Sequence, residues 1–163
     1  MKNSYALPQE NVLVSFSGGR TSAFMLYKIL EAENWELPDR CKVVFANTGR
    51  EMPETYDFVQ RCSDEWNVPV TWLEYKVIRN HETNKNKHTF DIVNHNSASR
   101  NGEPFETLVK TKGFLPDALQ RWCTGELKVM TIKRYLKSIG WNNWVNTVGI
   151  RADEQHRLKK PKE

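Results

Sequence analysis

The segment SFSGGRTS, residues 15–22, constrains the fold of this chain most, because it sets two adjacent glycines between two apolar stretches of different periodicity. The stretch before it, Val12 to Phe16, is a short β-prone run that is typical of a buried strand. The stretch after it, Thr21 to Glu33, carries apolar residues at helical spacing. The order strand, glycine-rich turn, helix predicts an α/β unit whose turn lies at the carboxyl edge of a sheet.

The residues of this turn favour the binding of an anion such as phosphate. Gly18 and Gly19 lack a Cβ, so their backbone can approach an anion closely and adopt a positive φ. A helix that begins near Thr21 directs its unpaired N–H groups and the positive end of its dipole to the same point. The alternative is a strand-to-helix turn that needs glycine for geometry alone. Neither the G-x-x-x-x-G-K-[ST] pattern nor the G-x-G-x-x-G pattern is present in the turn.

The same alternation of strands and helices continues along the chain. Further strands are predicted at Lys42 to Asn47, Val68 to Tyr75 and Asn143 to Ile150. Further helices are predicted at Glu54 to Glu65, Pro104 to Lys112 and Gly125 to Ser138. This pattern predicts one doubly wound, mostly parallel, Rossmann-like sheet with helices on both faces. We expect a single domain over residues 1–163, which is either a short member of its fold class or truncated after the last strand.

Residues 76–102 interrupt this pattern, because Asn, His, Lys, Ser and Thr dominate there and apolar periodicity is weak. We interpret them as a long, mobile excursion with one short strand near residues 89–93. A binding segment and an insertion without a function both remain open. Its basic side chains are candidates for contacts with nucleic-acid phosphates: Lys85, Lys87, His88 and Arg100. Aromatic side chains that would stack on single-stranded bases are scarce there, with Phe90 alone.

Composition narrows the class of protein further. Cys41, Cys62 and Cys123 are isolated, which argues against a disulfide framework and against a four-thiolate iron–sulfur cluster within this chain. We expect Cys41 and Cys62 to be core residues. No apolar run reaches the ~18 residues of a membrane span, and Met1 to Glu10 lacks the features of a signal peptide, so we expect a cytoplasmic protein. The net charge of +4 suits phosphorylated ligands and leaves nucleic acid open.

The turn resembles the PP-loop, S-G-G-x-[DT]-S, of the adenine nucleotide α-hydrolase-like superfamily. That group includes ATP pyrophosphatases, the small subunit of ATP sulfurylase and phosphoadenosine phosphosulfate (PAPS) reductases. Three further segments resemble motifs of the sulfurylase and reductase branch in the same order: FANTGREMPETYDFV (45–59), RWCTGELKVMTIKRYL (121–136) and GIRADEQHR (149–157). The combination resembles most the PAPS reductase-like proteins, many of which are phage-encoded.

This resemblance implies an adenine-nucleotide site for PAPS or ATP. The residues implied for the phosphates are Ser17, Gly18, Gly19, Arg20, Thr21 and Ser22. The residues implied for the rest of the ligand are Asn47, Thr48, Gly49, Arg151, Glu154 and Arg157. The residues implied for catalysis are Arg20, Arg121, Lys128 and Asp153, with Cys123 if Arg121 and Lys128 lower the pKa of its thiol.

Two departures from the family pattern leave the activity open. Thr21 stands where many ATP pyrophosphatases have an Asp that assists Mg²⁺, and Asp153 or Glu154 are alternative ligands. PAPS reductases act through a cysteine in a C-terminal tail, and no cysteine follows Cys123. Three hypotheses follow: an enzyme that acts on the α-phosphate or sulfate of a nucleotide, with a thiol donor protein as partner; a binding module without turnover; and an ATP-dependent enzyme that modifies nucleic acid.

Overall fold

A computed structural model describes residues 5–83, 85–116, 122–151 and 153–154 of the chain. Its elements are, in order, β1 (Val12–Ser15), α1 (Arg20–Ala32), β2 (Cys41–Asn47), α2 (Pro53–Glu65), β3 (Val70–Asn80), β4 (Lys85–Val93), α3 (Glu103–Lys112), α4 (Trp122–Thr124), a π-helical turn (Gly125–Met130), α5 (Thr131–Ser138) and β5 (Val145–Val148).

The strands form one five-stranded sheet in the order β4-β3-β2-β1-β5. The pairs β1–β2, β1–β5 and β2–β3 are parallel, and only β3–β4 is antiparallel. The chain moves outward from β1 through β2 to β3 and later returns to the other side of β1 with β5. The strand order therefore reverses between β1 and β5, which is where sheets of this kind bind ligands beyond the carboxyl ends of their strands.

Helices cover both faces of the sheet. Because successive side chains of a strand point to opposite faces, β1 contributes apolar residues to a buried cluster on each face. Val12, Val14 and Phe16 lie in one buried cluster with apolar residues of α1 and α2. Leu13 lies on the other face, in a second cluster with Leu136 of α5. The predicted α/β, Rossmann-like sheet with helices on both faces is thus confirmed.

The prediction of a loop with one short strand was wrong over most of residues 76–93. Strand β3 extends to Asn80 and pairs with β4 over nine opposed residues, from Trp72 and Val93 at the base to Asn80 and Lys85 at the tip. The side-chain oxygen of Asn80 accepts hydrogen bonds from the backbone N–H groups of Glu82 (2.9 Å) and Thr83 (3.0 Å) and closes the turn. The outer part of this hairpin is exposed on both faces, so its sequence carries no apolar alternation.

The predicted helix over Gly125 to Ser138 is present, but it begins as a π-helical turn. The hydroxyl of the buried Thr131 donates a hydrogen bond of 2.8 Å to the carbonyl oxygen of Glu126, five residues earlier. This bond matches the wider spacing of a π turn, a feature that occurs frequently at functional sites.

The two cysteines expected in the core are indeed buried. Cys41 lies at the start of β2 and Cys62 lies in α2, and burial raises the pKa of each thiol to about 11. Both thiols are therefore protonated at neutral pH and are poor nucleophiles. Within the described ranges, the helices are too short or too polar to cross a membrane.

Candidate functional site

A cleft lies where the strand order reverses, between the turn after β1 and the segment after β5. Its volume is about 530 Å³. It is lined by Ser17, Gly19, Arg20, Thr21, Ser22, Gly149, Arg151 and Glu154. The fold therefore brings together two segments that are more than 120 residues apart in sequence, and both belong to motifs predicted to contribute to the nucleotide site.

The turn offers unpaired donors to this cleft. Gly19 precedes α1 as its N-cap in an extended conformation (φ −94°, ψ 160°), and no side chain caps the helix. No described residue accepts a hydrogen bond from the backbone N–H groups of Gly19, Arg20 or Thr21. No described residue pairs with the exposed guanidinium of Arg20 either. Backbone donors, a helix dipole and one cation thus meet at a single point, which is the arrangement that attracts an anion.

The two serines of the turn bond to each other. The Ser17 hydroxyl and the Ser17 backbone N–H both donate to Ser22 Oγ, at 3.0 Å and 3.2 Å. The Ser22 hydroxyl donates to the carbonyl oxygen of Gly19 at 2.9 Å. Ser22 is buried and its hydroxyl proton is hydrogen-bonded, so the hydroxyl stabilises the turn in this conformation.

The two glycines of the turn have different surroundings. Gly18 has a φ of +74°, and a Cβ there would lie 2.6 Å from Thr55 Cγ2 and 2.9 Å from Val59 Cγ2 of α2. A Cβ on Gly19 would meet only Ser17 Oγ, at 3.7 Å. Gly18 is therefore required for packing against α2, whereas Gly19 keeps the cleft open.

Gly149 holds the other wall of the cleft close to the turn, a role that the sequence analysis missed. A Cβ at this position would lie 2.9 Å from the backbone nitrogen of Ser22 and 3.0 Å from the Ser22 Cα. The chain leaving β5 thus touches the first turn of α1 directly. The sequence signal was present, since Gly149 opens the GIRADEQHR segment, but only the packing reveals what the glycine does.

We expect the substitution Gly149→Ala to lower the free energy of unfolding by about 2 kcal/mol, because the new methyl group overpacks the contact with α1. We expect it also to weaken binding of the predicted nucleotide several-fold, since the segment of Arg151 moves away from the turn. Urea unfolding and a nucleotide titration measure the two effects. Unchanged values of both would show that β5 and α1 are farther apart than described.

The segment after β5 carries an ion pair at the mouth of the cleft. Arg151 donates two hydrogen bonds to the two oxygens of Asp153, at 3.0 Å and 2.5 Å, and both side chains are largely exposed. Asp153 therefore orients Arg151 in this conformation, and Glu154 lines the cleft itself. The predicted site residues Arg121 and Arg157 lie outside the described residues.

Lys128 belongs to a second group of polar side chains, at the loop after β2. Its Nζ lies 3.3 Å from Glu51 Oε1, and the hydroxyl of Thr48 donates to the same oxygen at 3.2 Å. Glu51 was not predicted as a site residue, although it lies within the FANTGREMPETYDFV segment. The π-helical turn thus places Lys128 against this loop, and Lys128 does not line the cleft beside Arg20.

Asn47 lies beneath this loop and faces the interior rather than a ligand. Its side-chain amide donates to Glu74 Oε1 at 2.6 Å and to the Ser99 carbonyl at 2.8 Å. Its side-chain oxygen accepts from the Gly49 N–H at 2.9 Å and from the Tyr56 hydroxyl at 3.1 Å. Both polar atoms of its side chain are paired, so in this structure Asn47 positions the loop.

Glu74 is the centre of this buried network and is a third residue that sequence reasoning missed, after Gly149 and Glu51. The residue is 8% exposed, and its carboxylate also accepts from the backbone N–H (2.7 Å) and hydroxyl (2.8 Å) of Ser99. It thereby ties the loop after β2 to the segment that leads into α3. A lone Glu inside the apolar run VTWLEY was the available signal, since a buried carboxylate needs such partners.

We expect Glu74→Ala to lower the free energy of unfolding by about 2 kcal/mol, because the donors on Asn47 and Ser99 lose their acceptor inside the protein. Glu74→Gln retains one acceptor oxygen and will lose less. Urea denaturation of both variants tests this order. Equal losses of unfolding free energy in the two variants would show that the negative charge of Glu74, and not its acceptor oxygens, stabilises the network.

Cys123 is the thiol of the RWCTGELKVMTIKRYL segment, residues 121–136. Cys123 packs with Trp122 against a buried cluster that contains Tyr75, Leu108 and Leu127. It does not line the cleft of the phosphate turn. Within the described ranges, there is no group of three or more His, Cys, Asp or Glu residues that is placed to hold a metal ion.

Comparison with known proteins agrees with this geometry. The family model of the phosphoadenosine phosphosulfate reductase domain matches residues 11–162. The chain is 36% identical over 153 residues to the nin region protein ORF290 of Escherichia phage lambda, which covers 90% of this chain and 50% of the phage protein. It is 27% identical over 154 residues to protein MJ0066 of Methanocaldococcus jannaschii, which covers 94% of this chain and 25% of the archaeal protein. The chain thus spans half or less of the length of these relatives. It belongs to the phosphoadenosine phosphosulfate reductase domain family.

Proposed function

We propose that this chain binds an adenine nucleotide, PAPS or ATP, in the cleft between the turn after β1 and the segment after β5, and acts on its phosphate or sulfate group. The observation that carries the proposal is the set of three unpaired N–H groups of Gly19, Arg20 and Thr21 at the start of α1. Donors that are fixed before the ligand arrives stabilise phosphate charge without reorganisation. Family membership supports the nucleotide as the source of that charge.

Several charged side chains in and beside the cleft have separate roles in this proposal. Arg20 and Arg151 neutralise the charge that develops on the phosphate or sulfate during transfer. Asp153 keeps the Arg151 guanidinium oriented through its two hydrogen bonds. Lys128, held by Glu51 beside Thr48, lies at the neighbouring loop, where we place the remainder of the nucleotide. Any Mg²⁺ is assigned to the nucleotide phosphates, because Mg²⁺ is commonly held by substrate phosphates and few carboxylates.

A binding module without turnover is the second candidate, and the position of Cys123 favours it. A thiol that reduces a bound sulfate has to reach the cleft, whereas Cys123 packs against Leu108 and Leu127. Under the first candidate, a thiol donor protein would supply the reductant. An ATP-cleaving activity needs no thiol in the cleft and is therefore compatible with this packing.

One set of measurements separates these candidates. The purified protein is titrated with ATP, with PAPS and with adenosine 3′,5′-bisphosphate by calorimetry, and each mixture is assayed for pyrophosphate and sulfite. Pyrophosphate from ATP identifies the ATP branch, and sulfite that appears only with an added thiol donor identifies the reductase. Binding without either product identifies the module. The absence of binding by all three nucleotides would reject the proposed site.

A further inference from the structure

The hairpin of β3 and β4 extends beyond the rest of the sheet on the same edge as the cleft. The last residue of β2 that pairs with β3 is Asn47, opposite Glu74. Strand β3 continues for six residues past that point, to Asn80, with only β4 as a neighbour. At about 3.4 Å per residue, this two-stranded ribbon, residues 75–83 and 85–90, projects roughly 20 Å from the carboxyl edge.

The ribbon is firmly attached at its base. Tyr75 is buried against Leu108 of α3 and Leu127 of the π-helical turn. Its hydroxyl forms a hydrogen bond of 2.6 Å with His88 on the opposite strand. On the other face of the ribbon, Lys76 forms an ion pair of 2.9 Å with Asp91 across the strands. These contacts hold the projecting part in a defined direction.

The face of the ribbon that carries Lys85 and Lys87 is basic. Directly opposed residues of an antiparallel pair project from one face, which places Lys87 beside Ile78 and Lys85 beside Asn80. Both lysines are exposed, and no described residue pairs with either of them. Arg79 is exposed on the opposite face. Within the outer part of the ribbon, Glu82 is the only acidic residue.

We infer that this ribbon binds double-stranded DNA by entering its major groove. The major groove admits a two-stranded ribbon, and Lys, Arg and Asn side chains hydrogen-bond to base edges there, while an apolar side chain such as Ile78 contacts the thymine methyl group. A single strand is a poorer fit, because residues 76–89 contain no Phe, Tyr or Trp on which bases would stack, and Phe90 packs against Tyr135. Double-stranded RNA is also a poorer fit, because its major groove is deep and narrow.

The inference is independent of the proposed nucleotide site and is tested with the whole chain. Anisotropy of a fluorescein-labelled 20-base-pair DNA duplex is measured at 50 and 200 mM NaCl, beside the single strand and the RNA duplex of the same sequence. The test variant is Lys85→Glu/Lys87→Glu. The matched control is Lys133→Glu/Lys137→Glu on α5, which changes the net charge equally at two exposed positions. Circular dichroism establishes that both variants are folded.

We expect the DNA duplex to bind more tightly than the single strand or the RNA duplex. We expect the ribbon variant to bind DNA roughly tenfold more weakly than the control variant. We also expect the slope of its log K against log [NaCl] to be shallower by about 2. Equal weakening in both variants, equal affinity for the three nucleic acids, or no binding at 50 mM NaCl would each overturn the inference. So would self-association of the ribbon variant with unchanged DNA affinity, because lysines on an edge strand also prevent pairing between chains.

Discussion

The substitution Gly19→Val is expected to abolish nucleotide binding while the protein remains folded. Gly19 already has an extended backbone (φ −94°, ψ 160°), which valine adopts without strain. Its new Cβ would meet only Ser17 Oγ, at 3.7 Å. The branched side chain would instead stand at the start of α1 and cover the N–H groups of Arg20 and Thr21. Losing two such charged hydrogen bonds costs about 3 kcal/mol or more, which is at least roughly a hundredfold in Kd.

Calorimetric titration of the Gly19→Val variant with whichever of ATP and PAPS binds the wild type measures this effect. Thermal unfolding followed by circular dichroism checks that the fold survives, with an expected change in the free energy of unfolding of about 0.5 kcal/mol or less. An unchanged Kd would place the phosphates elsewhere. The DNA affinity of the ribbon is expected to be the same in this variant, so the two sites are tested separately.

The same substitution one residue earlier, Gly18→Val, is expected to destabilise the whole protein. The backbone of Gly18 has a φ of +74°, and a Cβ there would lie 2.6 Å from Thr55 Cγ2. The left-handed conformation costs a non-glycine residue about 1–2 kcal/mol, and overpacking adds about 1–3 kcal/mol. We therefore expect a loss of about 4 kcal/mol in the free energy of unfolding, equivalent to roughly 10 °C in Tm.

Urea denaturation of the Gly18→Val variant measures this loss, and Gly19→Val serves as its control because the added side chain is identical. The pair separates two reasons for a glycine in one turn: packing against α2 at the first position and access to the cleft at the second. A stable Gly18→Val variant would contradict the left-handed turn. Similar losses of stability in both variants would contradict the open surroundings of Gly19.

The main features of the fold were predictable because they repeat a local pattern. Val12 to Phe16 is apolar and β-prone, and the residues after Gly19 are apolar at helical spacing, so strand, turn and helix each carry their own signal. The hairpin was not predictable in the same way. Its outer strands are exposed on both faces, and a strand that buries neither face has no reason to alternate apolar and polar residues.

The candidate site also combines features that the local sequence predicts with features that depend on distant residues. Adjacent glycines before a helix predict a phosphate-binding turn from the sequence alone, since backbone donors and the helix dipole require no distant residue. The inward direction of the Asn47 side chain depends on Glu74 and Ser99, which are 27 and 52 residues away. No local pattern contains such a contact, so a polar residue at the end of a strand was indistinguishable from a ligand-facing one.

The sequence by itself determined the α/β alternation and the position of the glycine-rich turn before α1, because both follow from short-range spacing and backbone geometry. Only the tertiary structure decided that Gly149 closes against Ser22, that Glu51 holds Lys128, and that residues 75–83 and 85–90 form a projecting ribbon. These features arise where strands far apart in the chain become neighbours. Their energies come from contacts between segments, which the sequence of either segment does not contain.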